Sequence, residues 1–298
     1  GAAAAGTAQR GGGEVLSAVR GARGTDERDV VASLVSLSWG LAVLRAKLPP
    51  ALSSLLLSEV RALFPSLAVD GGRALPIIAW SLARLGLRPS RAWLSDFERH
   101  IASSADRFPA GQCFSNAVWA LSNWHADPGP SWLDAFVRAS ARHVPSMAPG
   151  ELAALCQGLA DLRASPPRAW SSLCLEAFHR QLPSAPPELS AAMIWSASRL
   201  VLAGGDTDGP PPPPDPKWLR LYRPLLLDLS SALLASLPSL PAPVLVDVAV
   251  ALADLRVHPG ARWLREHDMA CNASVAQLTA YQVNLLENAY AAMEVLRG

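Results

Sequence analysis

Apolar residues along this chain recur at i, i+3, i+4 spacing. Segments 151–162 (ELAALCQGLADL) and 188–200 (ELSAAMIWSASRL) show it most cleanly. That period puts the apolar side chains on one face of an α-helix, and no stretch carries the period-two alternation of a strand. Proline and glycine, 26 and 20 residues, fall mainly between these apolar segments. The chain is predicted to be all-α, its helices separated by proline.

A longer period lies over the helical one. Pro-x-x-x-Trp occurs five times, ending at Trp93, Trp132, Trp170, Trp218 and Trp263, at intervals of 39, 38, 48 and 45 residues. Pro49 and Pro50 before Leu52 form a degenerate earlier copy. Proline is tolerated at a helix start but not inside one, because it lacks an N–H and clashes with the preceding turn. Each Trp is therefore placed in the first turn of a helix. An apolar-Pro pair recurs at Phe64-Pro65, Phe108-Pro109, Val144-Pro145, Leu182-Pro183 and Leu237-Pro238, and marks where that helix ends.

A second helix then begins, with the signature aromatic-small-Leu-small-x-Leu. Its copies start at Trp39, Trp80, Trp119, Gln157, Trp195 and Val250, with a worn copy at Tyr290. We call this first position the anchor. Anchor +1 is Gly40, Ser81, Ala120, Gly158, Ser196, Ala251 and Ala291, so neighbouring helices are expected to approach closely there. The anchor tryptophans Trp80, Trp119 and Trp195 are expected to be buried between consecutive helix pairs. The fold expected is an α-solenoid of about seven helix-pair repeats, each of ~38–40 residues.

One array is expected to fill residues 26–298, after a flexible tail at 1–25. The tail has no acidic residue before Glu14, as in an organellar transit peptide, although a plain flexible tail would look the same. Residues 204–216 (GGDTDGPPPPPDP) read as an inserted loop whose five consecutive prolines favour polyproline II.

Charge excludes little. The net charge is +1, with 15 Lys+Arg against 11 Asp+Glu in residues 1–150 and 11 against 14 in 151–298. Only Lys47 and Lys217 of the 26 basic residues are lysine. Arginine suits bidentate phosphate contacts, but a GC-rich coding bias gives the same excess. The longest uncharged apolar runs fall short of the ~18–20 residues a membrane span needs, so no membrane partner is expected. Cys113, Cys156, Cys174 and Cys271 show no metal-ligand spacing and are expected as reduced core residues in a reducing compartment.

No catalytic signature appears. The six histidines form no HExxH, and His267, between Glu266 and Asp268, is placed on a solvated charged face. There is no P-loop, dinucleotide fingerprint or nucleophile elbow. No enzyme activity, cofactor or metal is expected.

A repeat array offers a long surface instead. Anchor +4 is Val43, Arg84, Asn123, Asp161, Arg199, Asp254 and Glu294, polar in six of seven copies. Asn, Asp and Arg are side chains that read base edges, so Arg84, Asn123, Asp161 and Arg199 are candidates for RNA contact. An ordinary solvent-facing position gives the same column. Arg88, Arg91, Arg99, Arg107, Arg138, Arg142, Arg168 and Arg180 are candidates for phosphate.

PPRAW at 166–170, the Leu182-Pro183 break and WSLARLG at 80–86 together resemble the octotricopeptide repeat family. The resemblance covers about 26–298 and is strongest over 89–200. It implies a helical-repeat, RNA-associated protein of an organelle, of the kind found in green algae. Members act in transcript stability, processing and translation, or are built into organellar ribosomes. On that resemblance the expectation is a structural, rRNA-stabilising subunit of the mitochondrial ribosome, among other proteins of that particle. A transcript stability or translation factor, a chloroplast location, or a protein scaffold without RNA contact are the alternatives.

Overall fold

The computed structural model describes residues 27–69, 72–203 and 214–296. The expected tail at 1–25 lies outside these residues, as does the expected insert up to residue 213. The described residues form α-helices and short 3-10 turns, with no strand among them. None of these helices is long and apolar enough to cross a membrane.

The α-helices are α1 (Glu27–Val43), α2 (Pro50–Ala62), α3 (Phe64–Val69), α4 (Ala74–Arg84), α5 (Arg91–Ser104), α6 (Gly111–Asn123) and α7 (Pro130–Ser140). They continue as α8 (Pro149–Asp161), α9 (Arg168–His179), α10 (Glu188–Val201), α11 (Pro216–Leu233), α12 (Ala242–Asp254), α13 (Ala261–Ala273) and α14 (Ala280–Val295). They gather into two compact units, Gly1–Pro128 and Gly129–Gly298.

Proline works as the sequence predicts. It lies in the first turn of α2, α7, α8, α11 and α12. The Trp of every Pro-x-x-x-Trp is the third residue of its helix, α5, α7, α9, α11 or α13. Three of the apolar-Pro pairs open a single 3-10 turn, at Val144–Ser146, Leu182–Ser184 and Leu237–Ser239. Pro224 lies inside α11, the longest of the first helices.

Four of the third-position tryptophans, Trp93, Trp170, Trp218 and Trp263, join successive first helices. Trp93 Nε1 donates to the Leu57 carbonyl of α2, at 2.9 Å. In the second unit, Trp170 donates to Ser140 Oγ of α7, Trp218 to Ser172 Oγ of α9 and Trp263 to the Ser230 carbonyl of α11, each at 3.0 Å. Each ring is buried, so each bond satisfies an indole N–H that water cannot reach. Truncating such a Trp to Ala costs about 3–5 kcal/mol.

Four residues after each of the five third-position tryptophans stand Phe97, Phe136, Cys174, Tyr222 and His267, all buried. Cys174 is the one small side chain of the five. Beside it a cavity of about 10 Å³ is lined by Cys156, Ser171, Cys174 and Met193, among others. Ser171 Oγ has no hydrogen-bond partner there.

The second helices pack in chain order, α1 with α4 and α4 with α6 in the first unit, α8 with α10, α10 with α12 and α12 with α14 in the second. Ser81, Ala120, Ser196 and Ala251 of the +1 column are buried, which permits this close packing.

His267 departs from expectation. It is fully buried, stacked on Trp263 at 4.5 Å between centroids and 17° between planes. The neighbouring acids suggested a solvated face. The helical period nevertheless turns position 267 inward, four residues after Trp263. The thiols of Cys113, Cys156, Cys174 and Cys271 are all buried.

Candidate nucleic-acid interface

The anchor tryptophans are not buried between helix pairs as expected. Trp80, Trp119 and Trp195 are half-buried, and Trp39 is 52% exposed. The reason lies in their helices. Ala79 and Leu82, Val118 and Leu121, and Ile194 and Ala197 take the inward face. The small +1 residues take the contact between helices, so the anchor is left on the rim.

In the first unit this rim is aromatic and basic. Trp80 on α4 lies beside Trp119 on α6, centroids 6.1 Å apart and planes tilted by 41°. Arg84, one turn after Trp80, holds its guanidinium 5.3 Å from that ring's centre. Asn123, one turn after Trp119, donates its amide to the Trp119 carbonyl at 2.8 Å and is exposed. Neither α4 nor α6 contains an aspartate or glutamate.

The second unit carries the same columns with different charge. Arg199 lies over Trp195 at 5.9 Å. Asp161 and Arg199 are exposed on the adjacent helices α8 and α10. Arg199 also faces acids of α12. Burial raises the pKa values of Asp247 and Asp254, and the Arg199 charge acts against that rise in both.

The remaining candidates lie elsewhere. Arg88 is in the loop after α4, and Arg91 opens α5. Arg99 pairs with Asp96 at 2.9 Å, and Arg61 bonds the same carboxylate, whose pKa is lowered chiefly by the Arg61 hydrogen bond. Arg107 ends the 3-10 turn at Ala105–Arg107. In the second unit Arg138 is in the last turn of α7, and Arg142 donates to His143 Nε2 at 3.0 Å. Arg168 pairs with Asp215 at 2.8 Å, and Arg180 is the C-cap of α9. The structure therefore brings Arg84 and Asn123 onto one rim in the first unit, and Asp161 and Arg199 onto one in the second. It leaves the other arginines on or near the first helices, where Arg99, Arg142 and Arg168 bond to neighbouring side chains.

One column escaped the sequence reading. In five of the seven copies anchor +6 is Arg45, Gly86, His125, Arg163 or Arg256, and all five adopt positive φ, 50°, 73°, 52°, 57° and 57°. Each closes its second helix with the same pair of bonds. At Arg163 these run from its own N–H to the Ala160 carbonyl and from Ala164 N–H to the Leu159 carbonyl. This is a Schellman cap, which glycine normally occupies because a Cβ is disfavoured there. Four of the five are instead Arg or His, all exposed. The guanidinium groups of Arg45, Arg163 and Arg256 lie at helix C-termini, where the dipole favours them. The signal was the sequence period itself, a basic residue six positions after four of the seven anchors.

The rim of the first unit can therefore offer flat rings for stacking and a guanidinium and an amide for hydrogen bonding. No group of three or more His, Cys, Asp or Glu residues able to hold a metal occurs among the described residues. No family model matches this sequence, and no curated protein matches it.

Proposed function

We propose that this protein is a non-enzymatic, RNA-associated component of an organellar ribonucleoprotein, most specifically a mitochondrial ribosomal subunit that stabilises rRNA. The observation that carries the reading is the acid-free rim of α4 and α6, where Trp80, Trp119, Arg84 and Asn123 are presented together. Unpaired bases stack on such rings at a gain of roughly 1–3 kcal/mol each, and guanidinium groups serve bases and phosphates alike. Arg45, Arg163 and Arg256 at anchor +6 add guanidinium groups at helix C-termini. The resemblance of the repeats to octotricopeptide repeats points the same way.

The ribosomal form of the reading rests on charge. At net +1 the chain has little long-range attraction for a polyanion. A subunit held among protein neighbours on folded rRNA needs only shape and a few phosphate contacts. In mitochondrial lysate at moderate salt, the protein is expected to co-sediment quantitatively with one ribosomal subunit. Sedimentation as a small free complex, or with a single messenger, overturns the ribosomal reading in favour of a transcript factor. Sedimentation in nuclease-resistant protein complexes overturns the RNA reading in favour of a scaffold.

A further inference from the structure

Trp-x-x-x-Arg stands at two of the anchors, as Trp80 with Arg84 and Trp195 with Arg199. One helical turn separates the two side chains of each pair, so the arginine shares a face with its tryptophan and reaches over it. The guanidinium carbons stand 5.3 Å and 5.9 Å from the ring centres. A guanidinium in flat contact with a ring lies ~3.5–4 Å above it, so neither is pressed onto its indole.

The two pairs differ in what else holds them. Arg84 makes no hydrogen bond or ion pair among the described residues, and α4 carries no acid. Arg199 has Asp247 and Asp254 of α12 competing for its charge. Trp80 Nε1 also has no partner among the described residues, whereas Trp93, Trp170, Trp218 and Trp263 all donate theirs to the protein. Packing of α4 holds the Trp80 ring in place and leaves part of it open.

We infer that Trp80 and Arg84 form a clamp for one unpaired purine base of RNA, with the indole on one face of the base and the guanidinium on the other. This rests on the RNA reading above and specifies what that rim holds. A base is ~3.4 Å thick, so the sandwich needs ~7 Å between ring and guanidinium, and an outward swing of Arg84 by about 2 Å provides it. No bond within the described residues resists that swing. The base must be unpaired and unstacked, because a base inside a duplex has both faces covered by its neighbours. Trp119 is 6.1 Å from Trp80 and tilted by 41°, so a base flat on Trp80 does not lie flat on Trp119 as well. Each ring therefore serves a separate base. A purine is favoured over a pyrimidine because its fused rings cover more of the indole and offer a larger face to the cation.

The test uses the full chain and two dye-labelled RNA hexamers. One is hexauridylate, and the other carries 2-aminopurine, a fluorescent purine, at its third position. Anisotropy is expected to show the purine hexamer bound at least about fivefold tighter, with 2-aminopurine emission quenched on binding. Trp80→Ala is expected to abolish both the preference and the quenching. Arg84→Lys keeps the charge but loses the plane. It is expected to abolish the purine preference while leaving the salt dependence of hexauridylate binding unchanged. A phosphate contact by Arg84 would instead survive as lysine. Equal binding of the two hexamers, or a purine preference that persists in Arg84→Lys, overturns the clamp and leaves RNA association standing. No binding of either hexamer also overturns the clamp, and the co-sedimentation experiment then decides the RNA reading separately.

Discussion

The Tyr290 hydroxyl donates to Nδ1 of His267 at 2.7 Å, while Nε2 of the same ring donates to the Leu245 carbonyl at 3.0 Å. A carbonyl can only accept, so Nε2 carries the proton and the neutral ring joins α13 to both α12 and α14. Burial depresses the His267 pKa to about 4 from an ordinary 6.5.

That depression fixes the sign of a pH dependence. Between pH 6.5 and about 4 the unfolded chain binds a proton at this position and the native chain does not. Stability from this group is complete above pH 6.5 and is lost as pH falls through that window, by about 3 kcal/mol in all at ~1.4 kcal/mol per pKa unit. Denaturant titrations from about pH 7 down to about pH 5 should show a steeper loss for the parent than for His267→Gln. Parallel losses would mean that the ring is not held neutral.

On the RNA reading, the first unit should contribute more than the second. Reversing Arg84, Arg88 and Arg91 to Glu should weaken RNA association more than reversing Arg256, Arg262 and Arg265. Trp80→Ala with Trp119→Ala should remove roughly 1–3 kcal/mol of binding per stacked base. Because both rings are half-exposed, the fold should survive. Filter binding over a salt series measures this, and equal effects of the two triple reversals would reject the polarity.

Backbone geometry predicts opposite signs at two positions. Gly72 has φ 74°, and a Cβ there would meet the Phe108 ring at 2.8 Å. Gly72→Ala should destabilise by at least about 1–2 kcal/mol, from the left-handed conformation together with overpacking. Arg163 holds φ 57° and is exposed. Arg163→Gly relieves the same conformational cost and should raise stability by up to about 1 kcal/mol. Thermal melts of the two variants should move in opposite directions.

Gly158 is buried on α8, which packs on α10. Gly158→Leu should destabilise by about 1–3 kcal/mol through overpacking. An unchanged melting temperature would contradict close packing at anchor +1.

Much of this fold was legible because it is set locally. Proline lacks an N–H, so Pro130, Pro149 and Pro216 open helices wherever they occur. The third-position tryptophans follow at fixed distance from such starts. The small residues Ser81, Ala120 and Ala251 are buried as their column predicts. These features depend on chain stereochemistry and on spacing, which the sequence carries by itself.

What the sequence could not decide is which neighbour each helix face meets. Trp80 and Trp119 have the size of core residues, yet the packing of α4 on α6 is completed by smaller side chains and leaves the rings on the rim. His267 stands between two acids, yet the turn of α13 directs it inward between Trp263 and Tyr290. Arg163 and His125 take a conformation usual for glycine because the cap hydrogen bonds impose it. The helices, their starts and the residues that share a face are readable from the chain, because those depend on residues a few positions apart. Which of those faces are covered emerges only from the packing of helices, because burial belongs to pairs of segments distant in the chain.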